Sequence, residues 1–107
     1  MSNNAIAAQR VQGLPASNTA REVGGWLLAE MPFSTQEVRV HSGPLFGLAI
    51  EFGDATWDLT VDISSEGLML FSGEEIDGSR EIDPHPFDAM SRALVTRISR
   101  VYAANDR

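Results

Sequence analysis

The segment LFGLAIEFGDATWDLTVDI, residues 45–63, decides the fold. It reads as two strands joined at Gly53-Asp54, where Gly in the first loop position suits a type II′ hairpin turn. A two-residue loop sets Phe52 opposite Ala55, Ile50 opposite Trp57, Leu48 opposite Leu59 and Phe46 opposite Val61. All eight side chains are apolar and share one face. The other face carries Glu51 with Thr56, Ala49 with Asp58, Gly47 with Thr60 and Leu45 with Asp62. A slip of one residue would mix the two sets, so the alternation assigns one face to the core and the other to solvent.

Upstream, Glu37 to Ser42 alternates with Val38 and Val40 on one side and reads as the first strand, turned by Gly43-Pro44 into the central hairpin. Downstream, Ser64-Ser65-Glu66-Gly67 is a turn and Leu68 to Glu75 a further strand. Asp77-Gly78 is a hairpin signal followed by a short strand, Ser79 to Ile82. That register sets Glu75 opposite Arg80, a favourable cross-strand pair, and Glu74 opposite Glu81, an unfavourable one.

Helices flank the strands. Thr19 and Glu22 have the spacing of a capping box, and Val23, Trp26, Leu27 and Met31 then recur on one helical face until Pro32. Gly24-Gly25 lowers helix propensity by about 1 kcal/mol per Gly and lets a helix lie close to a sheet. At the other end Asp83 is the expected cap, with Pro84 or Pro86 in the first turn. Phe87, Met90, Leu94, Ile98 and Val101 form the apolar stripe, with Tyr102 on its flank. Arg97 and Arg100 come late enough to favour the helix dipole. Residues 1–18 show no clear period and are broken by Gly13-Leu14-Pro15, so they are expected to form a flexible N-terminal arm. Residues 19–107 are expected to form a single α+β domain. Its architecture is a five-stranded antiparallel meander with an N-terminal and a C-terminal helix packed on one face.

A chain of 107 residues fits one domain, and can bury about two thirds of its unfolded surface without staples. The absence of Cys excludes disulfides, zinc–thiolate sites and a Cys nucleophile. No apolar run approaches the ~20 residues of a membrane span, and no signal-peptide pattern opens the chain. The expected compartment is the cytoplasm. The net charge of −7 is unevenly placed. Residues 1–43 are neutral, residues 44–83 carry ten acids and one base, and residues 84–107 carry two acids and four Arg. Phosphate binding needs a basic stripe, so the charge argues against a direct nucleic-acid ligand and is compatible with a basic protein partner. All eight basic residues are Arg, as in GC-rich bacterial or phage genomes.

Enzymatic motifs are missing. There is no Gly-x-Ser-x-Gly elbow, Ser-x-x-Lys or Walker-type loop. His41 and His85 lack metal-ligand spacing. Asp58 and Asp62 lie four residues apart on one strand, roughly 13 Å, too far to share a metal or flank a glycosidic bond, where ~5–9.5 Å is needed. No catalytic residue, metal or cofactor is therefore expected. The informative irregularity is Leu68-Met69-Leu70-Phe71, where alternation fails. One pair joins the core and the other is left for a binding centre. Met69 and Phe71 are placed at that centre, with Leu68 and Leu70 as the alternative pair. Glu51, Asp58, Asp62 and Glu74 form the polar rim, as in protein interfaces generally.

The expected function is a small acidic, non-enzymatic protein-binding module that inhibits a basic protein, nucleic-acid-binding proteins being one class of such partners. In size and acidity alone the chain is similar to phage anti-defence proteins, including anti-CRISPR proteins and DNA mimics, and to toxin-immunity proteins. No family motif carries that likeness. The alternative is an acidic dimeric chaperone of secretion systems. Those normally carry a helix within the run of strands, and Ile63 to Leu68 leaves no room for one. No membrane contact is expected, and the chain is read as a monomer or homodimer.

Overall fold

A computed structural model describes the backbone of residues 3–30 and 38–105, and side chains over 5–30 and 38–97. Helices α1 (Asn3–Gly13) and α2 (Asn18–Glu30) precede strands β1 (Val38–Ser42), β2 (Leu48–Gly53), β3 (Trp57–Ile63), β4 (Met69–Glu75) and β5 (Glu81–Pro86). Helix α3 (Ala89–Asn105) follows. The strands form one antiparallel sheet in the order β1-β2-β3-β4-β5. This is the expected meander in a single α+β domain, with one helix more than the sequence suggests.

In β2 and β3 the faces fall where alternation puts them, and Phe71 of β4 joins their inner face. Leu48, Ile50, Phe52, Leu59, Val61, Ile63 and Phe71 are all buried on the inner face. The pairing differs from the expected one. Ile50 lies opposite Val61 and Phe52 opposite Leu59, so β3 is slid by four residues along β2. The cause is Asp54. Its carboxylate accepts hydrogen bonds from the amides of Thr56 and Trp57, both at 2.8 Å, and closes a wider turn than Gly53-Asp54 alone. A slide by an even number of residues leaves every side chain on its own face. Trp57 moves to the end of β3, half-buried, with the Arg80 guanidinium 5.5 Å from its ring centre. Phe46 leaves the core altogether and joins the turn Pro44–Phe46.

Residues 3–13, expected as part of a flexible arm, are helical, and Ala7 and Val11 are buried in the core. Helix α1 packs on α2 and β1, and α2 packs on β2 and β3. Ser17, rather than Thr19, caps α2: its hydroxyl accepts the Ala20 amide at 3.0 Å and donates to the Ser65 carbonyl at 2.7 Å. The Ser17 amide donates to the Phe46 carbonyl at 2.9 Å, so one residue ties the helix start to two sheet turns. The buried stripe of α2 is Ala20, Gly24, Leu27 and Leu28, while Trp26 is exposed. Gly24 is the close-approach residue. A Cβ there would meet Leu48 Cδ1 at 3.1 Å, tighter than ordinary contact. Met31, Pro32 and Glu37 lie outside the described residues.

Strand β5 runs on through Pro84 and Pro86, which the sequence places in the helix start. It is the sheet edge, where a residue without an N–H is tolerated, and its pairing shifts between Phe71 and Gly73. The cap of α3 is accordingly Asp88 instead of Asp83. Its carboxylate accepts the Ser91 amide at 2.9 Å, and the Ser91 hydroxyl faces back to the Asp88 amide at 3.4 Å. Helix α3 buries Ser91 and Val95, with Leu94 half-buried and Met90 exposed. The stripe is therefore rotated from the expected one. The side chains of Ile98, Arg100, Val101 and Tyr102 lie outside those described.

Two stability measurements test this packing. Deleting residues 1–13 removes Val11 from the core and should lower the melting temperature by more than about 5 °C, or about 1 kcal/mol in a domain this size. An unchanged midpoint would mean that α1 adds nothing to the core. Phe71→Ala should cost about 3–5 kcal/mol, and Trp57→Ala clearly less, in parallel denaturant titrations. The reverse ranking would restore the two-residue loop and a core Trp57.

Candidate protein-binding face

The outer face of the sheet consists of three cross-strand rows. One reads His41, Ala49, Asp62, Leu70 and Pro86 across all five strands. The next reads Arg39, Glu51, Thr60 and Ser72. The third reads Gly53, Asp58, Glu74 and Glu81. Glu51, Asp58, Asp62 and Glu74 thus share the outer face as expected. The third row sets three carboxylates directly beside one another on consecutive strands, where like charges destabilise the sheet. They rim a hollow of about 290 Å³ that also meets Ser72, Asp83 and Pro84.

The expected apolar centre is corrected. Phe71 is buried and Met69 half-buried against the core, because Val61 and Ile63 on the inner face of β3 are their direct partners. Leu70 (44 % exposed) and Leu68 (68 % exposed) point away from the core instead. Leu70 pairs with Asp62, within the acidic face.

Charge on this face is partly compensated at one side. Glu51 lies 3.7 Å from Arg39 and 3.1 Å from His41. Asp62 has no such partner in its row beyond the distant His41. Its carboxyl is pushed above its ordinary value of 3.8, first by partial burial and then by the negative charge of Glu51. Glu75, on the inner side beside Trp57, shows the opposite behaviour. Its carboxylate accepts from Arg80 and Ser79, and the Arg80 hydrogen bond chiefly holds it below the usual carboxylate range. The expected Glu75–Arg80 pair is therefore present.

A strained turn lies at the end of β1 and β2. Leu45 and Phe46 have φ of 53° and 62°, and the Gly47 amide donates to the Pro44 carbonyl at 3.0 Å. Two successive positive φ values define the type I′ geometry that favours Asn-Gly. For bulky residues the left-handed region costs roughly 1–2 kcal/mol each. Both side chains are also exposed, Leu45 at 86 % and Phe46 at 70 %.

One arrangement invites a catalytic reading. Ser91 Oγ lies 3.1 Å from His85 Nε2, and His85 Nδ1–H donates to the Asp83 carbonyl at 2.9 Å. Yet Ser91 Oγ also lies 2.9 Å from the Asp88 carboxylate and is buried, which is the geometry of the reciprocal helix cap. Among the described residues, no three His, Cys, Asp or Glu side chains are grouped to hold a metal ion. No described helix is long and apolar enough to cross a membrane. No family model matches the chain, and neither a curated protein nor a solved structure does.

The shifted carboxyl of Asp62 yields a pH test. A folded-state value above the unfolded one means that the native state holds the proton more tightly. The ionised group then costs stability, a cost that appears as pH rises through the raised value. Asp62→Asn should therefore raise the melting temperature at pH 7, and the gain should vanish below the ordinary value of 3.8. Glu75→Gln should do the reverse: it loses stability at pH 7, a loss that fades as pH falls through the lowered Glu75 value. Thermal melts across pH 3 to 7 would read both. A destabilised Asp62→Asn at neutral pH would contradict the placement of Asp62.

Proposed function

We propose that this protein is a small acidic binding module that inhibits a basic protein by occupying its cationic surface with the outer face of the sheet. One observation carries the reading: Asp58, Glu74 and Glu81 stand side by side on β3, β4 and β5 with no basic residue in their row. Such a row is unfavourable for folding and favourable for meeting Arg and Lys. A ladder of negative charge offers an Arg-rich groove what a phosphate backbone offers it, so the partner class is a nucleic-acid-binding protein. Leu70 supplies apolar contact beside the acids, and the rim is Glu51, Asp58, Asp62 and Glu74. The inhibitor is assigned to the cytoplasm together with its partner. The secretion-chaperone alternative gains nothing from the turn Ser64–Leu68, which joins β3 directly to β4.

Charge mainly speeds encounter and selects the partner, while apolar contacts slow dissociation. Capture of the partner from a bacterial lysate with the tagged chain, followed by kinetics at two salt concentrations, separates the two. Asp58→Arg with Glu74→Arg should lower the association rate at least about tenfold and flatten its salt dependence. Leu70→Ser should chiefly raise the dissociation rate. A folded double-Arg variant with an unchanged association rate would remove the acidic face from the interaction.

A further inference from the structure

We propose that the cleft between α3 and the β4–β5 edge binds an amphipathic monocarboxylate: an aliphatic chain with a carboxylate head. The cleft encloses about 500 Å³, within the roughly 300–1,000 Å³ of small-molecule sites. This inference is independent of the acidic face, because the cleft opens on the inner side of the sheet. One wall is built by Phe71, Ile82 and His85. Phe71 is held edge-on by His85 at 5.7 Å and by Phe87 at 5.8 Å, so the floor is apolar and fixed. The other wall is one face of α3, with Met90, Leu94 and Arg97 at i, i+4 and i+7.

The orientation of α3 leaves this space. The helix meets the core through Ser91 and Val95, so the neighbouring face overhangs the cleft, and Met90 is left 81 % exposed. The polar groups are unequally committed. At the N-terminal end Ser91, Asp88 and His85 satisfy one another and the Asp83 carbonyl. At the far end Arg97 is exposed and makes no ion pair among the described residues. The Asp88 carboxylate keeps its negative charge at the N-terminal end, so a carboxylate head is directed to the far end, where the Arg97 guanidinium can bind it through paired hydrogen bonds. From Met90 to Arg97 the helix rises about 10 Å, a length matched by a chain of about eight to ten carbons with its head at Arg97.

The probe is decanoate, titrated below its micelle concentration into the full chain and followed by amide NMR. Saturable shifts at Phe71, Ile82 and Leu94 are expected. Arg97→Glu should weaken binding at least about tenfold, and decanol should bind the unaltered chain more weakly by a similar factor. Ala93→Phe, at an exposed position on the rim, should block the cleft. Both substituted residues are exposed, so the spectrum elsewhere should stay native. The proposal fails if shifts do not saturate or map outside the cleft, or if Arg97→Glu binds decanoate as tightly as the parent. It also fails if sedimentation shows a dimer that Ala93→Phe dissociates, since the cleft would then be a subunit interface.

Discussion

Period-two alternation in β2 and β3 is the constraint on which the rest of the structure depends. Leu48, Ile50 and Phe52 on one strand and Leu59, Val61 and Ile63 on the next form a continuous apolar wall, and each is at most 1 % exposed. A wall of that kind must be covered, and α2 covers it closely because Gly24 removes the side chain that would hold the helix away from Leu48. Ser17 then fixes where the helix begins, through one hydroxyl and one amide bound to two different turns of the sheet. With the inner face occupied by helices, alternation alone decides what the outer face shows. It shows acids.

The same constraint explains which features were legible in the sequence. Face membership survives an error in register when the error is even, and the slide of β3 by four residues is even. Glu51, Asp58 and Asp62 were readable as one surface for that reason. Register itself was not readable, because Gly53-Asp54 satisfies a two-residue turn while the Asp54 side chain favours a wider one. Helix α1 leaves little trace in the sequence because its buried residues, Ala7 and Val11, give a weak periodic signal. The prolines at 84 and 86 resemble a helix start in sequence. In the sheet they occupy an edge strand, a choice that depends on topology and leaves no local trace.

The centre of the candidate face was hidden for a different reason. Four successive apolar residues, Leu68 to Phe71, carry no phase, so nothing local says which pair turns inward. The phase comes from β3: pairing with Val61 places Phe71 in the core and pairing with Asp62 leaves Leu70 outside. The acidic row was closer to reach. Asp77-Gly78 already sets Glu74 opposite Glu81, and a short Ser64–Leu68 turn brings Asp58 beside Glu74. The cleft under α3 had no sequence signal, since it depends on which face of the helix meets the core, and that face carries Ser91 and Val95 and not Met90.

Places where local preference conflicts with the fold are informative, because most of a foldable sequence agrees with itself at every level. In this protein several of the conflicts lie on or beside the outer face. Asp58, Glu74 and Glu81 repel one another, Asp62 is ionised against its surroundings, and Leu70 is exposed among acids. Leu45 and Phe46 hold left-handed backbone at the turn closing β1 and β2. Solubility alone is better served by charges of both signs, interspersed, and a turn of this geometry is less strained with Asn-Gly. A basic ligand would relieve the repulsion in the row and the cost of ionising Asp62 together, which is why the proposed basic protein partner is placed against this face.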